Sequence, residues 1–306
     1  TQLWNKRLLI VNLAGGLGNQ MFQYAMGFSL AARTGLPIVY STTFSQYEPS
    51  QLTIDQVFNL QIQWCDDSAL ISCLGKMASS PIARRLLGKV SEFTKRQLWT
   101  SMRTDILNGY NEIDIPNLSL DYYIHGYWQS EYYFLRDFDQ LKKQFVFNET
   151  RSINEISADL IGNNEKIGVH IRRGDYISNS RARKKLGTQL DEYYVNGIEK
   201  LRHKFAASKV IVFSDDIRWA EDFLSPLFDD IYFSNLPGSS AGSDIQMLSQ
   251  CDHFVLSNST FGWWAAYLCN NPRKVVITPK KWFADGTSDK DIIPISWINS
   301  QKYLNE

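Results

Sequence analysis

The chain has 306 residues, enough for two domains of ordinary size or for one large domain. Its 44% of hydrophobic and 21% of charged residues are typical of a globular protein. Lysine plus arginine equals aspartate plus glutamate at 32 each, so no overall positive charge indicates a nucleic-acid partner, and any anion must bind through local groups.

The beginning of the chain has the pattern of a β-α-β unit. The apolar run Leu8–Leu13 predicts a buried strand, and the glycine turn Ala14–Asn19 joins it to a predicted helix over Gln20–Thr34, where apolar residues recur with the helical period. A second strand is predicted at Leu36–Tyr40. Strands joined by a helix are typical of a parallel sheet.

The middle of the chain is less regular. A helical and irregular stretch is predicted over Cys65–Arg103, and its basic side chains indicate either a solvated helix face or contact with an anionic lipid or substrate. A strand is predicted at Tyr122–Tyr127 and a helix within Glu131–Phe147. The polar stretch Asn148–Ala158 predicts a domain boundary.

The remainder alternates strands with helices, which predicts a second β/α domain over residues 151–306 after a first domain over residues 1–150. The predicted strands are Ile167–Ile171, Val210–Ser214, Ile231–Phe233, Phe254–Ser257 and Val275–Thr278. The predicted helices are Leu190–Phe205, Ile217–Leu227, Ser243–Ser249 and Thr260–Cys269. The polar, basic segment Ser178–Thr188 is predicted to be a mobile loop.

The sequence shows few signs of other protein classes. The four cysteines are scattered and form no CxxC pair, which disfavours a zinc site or a thioredoxin-type redox site. No apolar run reaches the roughly 18–20 residues that a membrane-spanning helix needs. No signal segment is seen at the start, but the chain begins at Thr1 without methionine, which is compatible with a removed anchor.

The segment Val169–Tyr176 (VHIRRGDY) carries the strongest chemical signal. It extends a buried strand into a charged tip, where adjacent arginines favour an anion because the planar guanidinium binds phosphate or carboxylate through two hydrogen bonds. Ligands of α/β proteins bind at such strand ends. An internal salt bridge of Arg172 or Arg173 with Asp175 is the structural alternative.

Two strand-to-helix turns offer further anion sites. The glycines of Ala14–Asn19 let a ligand approach the backbone before a helix N-terminus, although a plain tight turn is the alternative. Met21 occupies the third glycine position of a dinucleotide fingerprint, which disfavours NAD and FAD. In Ser257–Trp264 (SNSTFGWW), Ser259 and Thr260 either cap a helix or cradle a phosphate, and the two roles are compatible.

Several carboxylates occupy positions with two interpretations. Asp215 and Asp216 end a predicted strand, where they accept hydrogen bonds from a ribose or a base or cap the next helix. Asp244 stands at the head of a predicted helix with the same two interpretations. The Asp-x-Asp patterns that begin at Asp137 and Asp289 follow no clear strand, so no metal is inferred.

Together these segments resemble the α-1,2-fucosyltransferase family, glycosyltransferase family 11. The His-x-Arg-Arg-x-Asp core is shared with a wider group that includes α-1,6 and protein O-fucosyltransferases, and the first and last segments favour the α-1,2 group. The matching segments follow the family order: Gly15–Ala25 (GGLGNQMFQYA), Gly126–Phe134 (GYWQSEYYF), Val169–Tyr176, Val212–Asp216 (VFSDD) and Ser257–Leu268 (SNSTFGWWAAYL).

The resemblance implies a GT-B-like α/β fold, with two Rossmann-type β/α domains facing a central cleft. The N-terminal domain would take the acceptor and the C-terminal domain GDP-fucose. The implied reaction is an inverting, metal-independent transfer of L-fucose from GDP-β-L-fucose to the 2-hydroxyl of a terminal β-galactoside, without a cofactor. A bacterial surface polysaccharide such as an O-antigen and a blood-group-like oligosaccharide both fit as acceptors.

The resemblance also implies residue roles. Arg172 would meet the β-phosphate of GDP, and Asn19 would face the fucose or the diphosphate. Asp175 is a candidate general base, with orientation of Arg172 or Arg173 as its alternative role. Tyr127 and Trp128 are candidates for stacking on the acceptor sugar, with core packing as the alternative. The other donor-binding candidates are Gly16, Gly18, His170, Arg173, Asp215, Asp244, Ser259, Thr260 and Phe261.

The expected partners are GDP-fucose and a galactose-terminated oligosaccharide or glycolipid-linked acceptor, with no nucleic acid and with peripheral membrane contact as an option. The expected location is the cytoplasm or the inner-membrane surface of a bacterium, or the Golgi lumen for a trimmed eukaryotic protein. Rival functions are a fucosyltransferase with another linkage or acceptor, an NAD-dependent oxidoreductase and a non-catalytic nucleotide-sugar-binding protein.

Overall fold

The computed structural model describes residues 7–42, 54–75, 102–104, 109–157, 159 and 164–302. The chain divides into two compact units, Thr1–Asn148 and Glu149–Glu306, and the division falls at the start of the predicted boundary stretch. Most of the basic stretch predicted within Cys65–Arg103 lies outside the described residues. In the part of the chain that is described, no helix has both the length and the apolar character needed to cross a bilayer.

The first unit contains a four-stranded parallel sheet in the order β2-β1-β4-β3. Strand β1 is buried along its whole length, as expected for an inner strand of a parallel sheet that is covered on both faces. The strands are β1 (Leu9–Asn12), β2 (Ile38–Ser41), β3 (Met102–Thr104) and β4 (Tyr122–His125).

The helices of the first unit are α1 (Leu17–Thr34), α2 (Ile54–Val57), α3 (Asp67–Leu74) and α4 (Phe138–Lys142). Helix α1 begins three residues before the predicted start because Gly16 already serves as its N-cap. It ends at Thr34 and is capped by Gly35, whose φ of 69° lies in the left-handed region that glycine adopts most readily.

The helix predicted within Glu131–Phe147 is present as the short α4, Phe138–Lys142. Two 3₁₀ turns, Glu131–Tyr133 and Leu135–Asp137, precede the short α4. Ser130 accepts a hydrogen bond from the Tyr132 amide and so fixes the start of the first turn.

The second unit contains a five-stranded parallel sheet in the order β7-β6-β5-β8-β9. All five predicted strands are present, each within one residue of its predicted ends, so the α/β class is confirmed. The strands are β5 (Lys166–Ile171), β6 (Lys209–Ser214), β7 (Ile231–Phe233), β8 (His253–Leu256) and β9 (Val276–Ile277).

The helices of this unit are α5 (Gly174–Ser178), α6 (Ser180–Lys185), α7 (Asp191–Lys204), α8 (Ile217–Leu224), α9 (Ala241–Leu248), α10 (Thr260–Leu268) and α11 (Ile295–Lys302). The prediction of a loop over Ser178–Thr188 is wrong, since α6 lies inside it. The Asn179 side chain starts this helix by accepting hydrogen bonds from the amides of Arg181 and Ala182.

The central strand β5 is fixed by the core of this unit. Ile167, Val169 and Ile171 are fully buried and pack in one cluster with residues of α7 and β6, including Ile198 and Val212. The strand end that carries the arginines is therefore held by a close-packed interior, which leaves little freedom to the residues that follow it.

Candidate functional site

The predicted donor-site residues of the second unit come together at one edge of its sheet. β6, β5 and β8 are adjacent parallel strands, so their carboxyl ends meet. Residues 172–175 follow β5, residues 215 and 216 follow β6, and residues 257–261 follow β8. The sequence motifs thus share one place in the fold although they are separated along the chain.

Arg172 is held between two carboxylates. Its Nε and Nη2 lie 2.9 and 2.8 Å from Asp175 Oδ1, and its Nη1 lies 3.1 Å from Asp215 Oδ2. The internal pairing with Asp175, considered above as the structural alternative, is therefore present. The side chain is still 36% exposed, so a fixed guanidinium faces solvent with its remaining N–H groups available.

The carboxylate of Asp215 binds the turn that carries the arginines. Its Oδ1 accepts from the Arg173 amide at 2.9 Å, and its Oδ2 accepts from the Gly174 amide at 3.0 Å. A Cβ at Gly174 would lie 2.8 Å from Oδ2, so this approach needs a glycine. Asp215 therefore holds the start of α5, a partner set that sequence analysis missed.

Of the two interpretations of this acidic pair, capping of the helix after β6 by a side chain is not observed. Asp216 occupies the N-cap position of α8 but makes no capping hydrogen bond there. Its Oδ2 instead lies 3.4 Å from Arg173 Nε. Arg173 is turned away from solvent, because its guanidinium lies 3.6 Å from the ring centre of Trp219 and its side chain is only 18% exposed.

His170 is enclosed at the end of β5. Its Nδ1 lies 2.9 Å from Ser257 Oγ, and its ring stacks on Phe261 with centroids 5.3 Å apart. Burial, together with the positive charge of Arg172, lowers the pKa of His170 from 6.5 to about 3, while Asp215 opposes the shift. The imidazole is therefore neutral near pH 7.

The turn between β8 and α10 is fixed by its own polar groups. Ser259 caps α10 by accepting from the Phe261 amide, as predicted. Buried Asn258 donates its two side-chain N–H bonds to the carbonyls of Leu186 and Trp282 at 2.8 and 2.9 Å. Thr260, the first helical residue, is half-buried beside this fixed turn.

Asp244 is not the cap of α9. Ser240 and Ser243 form that cap reciprocally through their hydroxyls and amides. The Asp244 carboxylate instead accepts a hydrogen bond from the Ser234 hydroxyl at 3.0 Å. Burial raises the pKa of Asp244, and the hydroxyls of Ser234 and Ser239 oppose that rise.

In the first unit, the glycine turn is fixed by side chains of α1. Gln20 Nε2 donates to the Gly15 carbonyl at 2.9 Å, and Gln23 Oε1 accepts from the Ala14 amide at 2.8 Å. Asn19 covers Gly15 and accepts from Gln129 Nε2 at 2.9 Å. Gln20 and Gln23, part of the GGLGNQMFQYA segment, were not among the predicted site residues.

Gly16 and Gly18, the predicted donor-side glycines, begin α1. Gly16 is its N-cap, with open space where a Cβ would stand, whereas Gly18 is buried within the first helical turn. The exposed backbone of this turn is therefore at Gly16.

The two candidate acceptor aromatics differ in exposure. Trp128 is 3% exposed, has a left-handed φ of 55° and meets Tyr133 edge to face at 5.4 Å. This covering agrees with the core-packing alternative, and Tyr127 is the more exposed of the pair.

The first aspartate of each Asp-x-Asp pattern has a protein partner. Asp137 accepts from Ser29 and Arg136, and Asp289 accepts from the Trp282 amide. Among the described residues there is no group of three or more histidine, cysteine, aspartate or glutamate side chains suited to a metal ion.

The chain is similar to proteins of known activity. An α-1,2-colitosyltransferase of Escherichia coli is 29% identical over 96% of this chain and 99% of that protein. Galactoside α-(1,2)-fucosyltransferase 2 of Oryctolagus cuniculus is 27% identical over 84% of this chain and 66% of that protein.

A solved structure shares the fold. Fucosyltransferase NodZ from Bradyrhizobium is 18% identical, with a TM-score of 0.54 over 86% of this chain and 92% of NodZ. The profile of glycosyl transferase family 11 matches residues 8–301, which include parts of both units and every predicted site residue. The resemblance found in the sequence is confirmed, and the chain belongs to glycosyl transferase family 11.

Proposed function

We propose that this protein transfers L-fucose from GDP-β-L-fucose to the 2-hydroxyl of a terminal β-galactoside, with inversion at the fucose carbon. The observation that carries the proposal is Arg172, fixed by Asp175 and Asp215 at the sheet edge where the capped N-terminus of α10 also lies. Family membership and the galactoside fucosyltransferase among the relatives support the choice of donor and acceptor.

The proposed role of Arg172 is to stabilise the leaving group. GDP gains negative charge as the bond to fucose breaks, and a guanidinium that is already held in place stabilises this charge without reorganising. The N-terminus of α10 adds the positive end of a helix dipole. These two groups supply the positive charge that a metal ion supplies in other transferases, so we propose that the reaction is metal-independent.

Asp244 and His170, both candidates for donor binding, have different proposed roles. Asp244 presents a half-buried carboxylate, an acceptor that matches the N–H groups on the edge of guanine. His170 is neutral and almost fully buried, so its proposed role is to support Phe261 and the α10 turn from beneath rather than to pair with phosphate.

For Asp175 the contacts favour the orienting role over the role of general base. Its Oδ1 receives both Nε and Nη2 of Arg172, while its side chain stays 49% exposed. A carboxylate that binds the guanidinium through two N–H groups fixes the orientation of the guanidinium plane. We therefore propose Asp175 as a positioning residue for Arg172.

A second candidate is transfer of colitose, and it is favoured by the similarity to the α-1,2-colitosyltransferase over nearly the whole chain. Colitose is L-fucose without the 3-hydroxyl. A site that hydrogen-bonds a hydroxyl rejects an analogue lacking it by roughly 10⁴–10⁵, whereas an apolar site discriminates weakly. Parallel assays with GDP-fucose and GDP-colitose at equal concentration separate the two donors.

The test is incubation of the purified protein with GDP-fucose and lactose in EDTA, with the linkage determined by NMR. An α-1,2 bond to galactose is expected, and the Arg172→Ala variant is expected to lose about 10²–10³ in rate. A product with another linkage contradicts the proposed acceptor position. Activity that is absent in EDTA and returns with Mg²⁺ or Mn²⁺ contradicts metal independence.

A further inference from the structure

The first unit contains a cavity of about 170 Å³ on one face of α1. The α1 side chains in its wall, from Met26 to Arg33, recur at helical spacing, and the opposite wall comes from the loop at Tyr110 and from the two 3₁₀ turns. We infer that this cavity binds one neutral sugar ring of the acceptor, at a distance from the galactose that reacts.

Tyrosine rings give the cavity a surface suited to sugars. Tyr110 and Tyr132 remain 38% and 44% exposed, and their rings meet edge to face with centroids 5.7 Å apart. Tyr133 lies 4.9 Å from Tyr110, and its hydroxyl accepts from the Asn111 amide at 3.1 Å. Such rings combine an apolar face with a polar edge, which matches the C–H face and hydroxyl rim of a pyranose.

The charges in the wall are balanced, which favours a neutral ligand over an anion. Arg33 pairs with Glu112 at 2.9 Å and donates to the Ile113 carbonyl at 2.8 Å. Arg136 donates from Nε and Nη2 to the two carboxylate oxygens of Asp137 at 3.2 and 3.0 Å. Each guanidinium is thereby oriented before a ligand arrives, and its other N–H groups can meet hydroxyls with little loss of entropy.

The size of the cavity limits the ligand to one ring. A volume of about 170 Å³ lies below the roughly 300–1,000 Å³ of typical small-molecule pockets, which favours one sugar ring over a chain of several.

The position of the cavity separates it from the proposed reaction. At 1.5 Å per residue, Met26 and Arg33 lie about 10 and 20 Å beyond Asn19 along α1. The chain just before the first 3₁₀ turn contacts the start of α1, because the Gln129 side chain donates a hydrogen bond to Asn19. The inference rests on the proposed function, since the family resemblance implies that Asn19 faces the fucose or the diphosphate. A ring in the cavity then belongs to a more distant part of the acceptor.

The experiment compares the KM for lactose with the KM for lacto-N-neotetraose, a neutral tetrasaccharide that also ends in β-galactose. Wild-type protein should have the lower KM for the tetrasaccharide, and Tyr132→Ala should raise the ratio of tetrasaccharide KM to lactose KM by about 2- to 10-fold. Leu135→Ala is the matched control, because Leu135 is exposed beside the cavity without lining it. This variant should keep the wild-type ratio.

Equal KM values for the two acceptors in wild type, or the same ratio in Tyr132→Ala and wild type, would overturn the inference. If neither acceptor is fucosylated, the proposed function fails and the cavity is assayed by itself. Saturation-transfer NMR of the tetrasaccharide should then show contact with a non-terminal ring that weakens in Tyr132→Ala, and an unchanged signal in that variant would contradict the cavity assignment.

Discussion

At the scale of single residues, Asp215 shows how one carboxylate organises a reactive turn. It accepts from two consecutive backbone amides and from the guanidinium of Arg172. Charge-assisted bonds of this kind are stronger than neutral ones. The position of Arg172 thus depends on a residue of the neighbouring strand end, and we assign Asp215 a positioning role in place of direct contact with ribose.

Replacement of Asp215 by asparagine should lower kcat by about 10- to 100-fold, somewhat less than removal of the charge-stabilising group itself. The amide keeps one acceptor oxygen but places an N–H₂ group against the turn, so Arg172 loses one of its two carboxylate partners and is held less firmly. Asp216→Asn is the control, since the Asp216 carboxylate lies 3.4 Å from Arg173 Nε and is not a partner of Arg172. Steady-state kinetics check the prediction, and equal losses in the two variants would contradict it.

His170 should make the protein less stable in acid. Its pKa is lower in the folded protein, about 3, than the 6.5 of an unfolded chain, so the unfolded chain binds the proton first. Protonation therefore favours unfolding, and the stability that the neutral imidazole allows is lost as the pH falls from about 6.5 towards 3.

Between pH 7 and pH 4.5 this group should remove about 2 kcal/mol from the free energy of unfolding. His170→Gln lacks the titration, so its stability should fall less over the same interval, while the carboxylates titrate alike in both proteins. Urea unfolding at a series of pH values measures the difference. Parallel pH profiles would show that His170 does not titrate as described.

At the scale of elements, α10 packs closely against strand β5 because one residue of its first turn is a glycine. Gly262 lies in the first turn of this helix against the His170 ring, where a Cβ would stand 2.9 Å from Nδ1. The helix can therefore approach β5 closely enough for Phe261 to stack on His170. Fixing this approach also fixes the direction of the helix N-terminus.

Gly262→Ala should destabilise the protein, although alanine normally stabilises a helix interior by about 1 kcal/mol relative to glycine. The added methyl group has to displace the His170 ring. In a His170→Ala background the same change should cost less, because the ring is gone and only the contact with the Cβ of residue 170, at 3.2 Å, remains. Thermal unfolding of the four proteins of this double-mutant cycle tests the contact, and additive effects would contradict it.

At the scale of the whole molecule, each of the two α/β units has a parallel sheet and a strand-to-helix turn. These are the glycine turn before α1 and the Ser259 turn before α10. In the second unit the candidate donor groups come from three neighbouring strand ends and from α9. A ligand that contacts all of these elements binds only the folded protein, so it should stabilise the fold by mass action.

GDP at about 100 times its Kd should stabilise the protein by roughly 2.7 kcal/mol and raise the Tm accordingly. Asp244→Ala should show a smaller rise at the same GDP concentration, because guanine loses its proposed acceptor. Asp229→Ala, which removes an exposed carboxylate of the same unit, should keep the full rise. Thermal unfolding with and without GDP measures the rise in Tm. An equal rise in Asp244→Ala and Asp229→Ala would place guanine recognition elsewhere.

The sequence by itself determined the positions of the motifs and the strands of the second unit. Strand β3, Met102–Thr104, was missed because it falls at the end of a stretch predicted to be helical and irregular. Buried strands such as Val210–Ser214 are short apolar runs between polar turns, and this signal is local, so the predicted ends fall within a residue of the observed ones. Capping by Ser259 was predicted for the same reason, because the cap and its amide partner are two residues apart. The family segments, read in order, indicated the fold class.

Only the tertiary structure decided which partner each charged side chain takes. The contacts of Arg173 with Trp219, of Asp215 with Gly174 and of His170 with Ser257 join residues that are about 40 to 90 positions apart. Such pairs form where neighbouring strands of a parallel sheet end, and their geometry depends on register and packing, which no local pattern encodes. The tyrosine-lined cavity beside α1 depends on packing in the same way, since its walls come from segments that share no sequence motif.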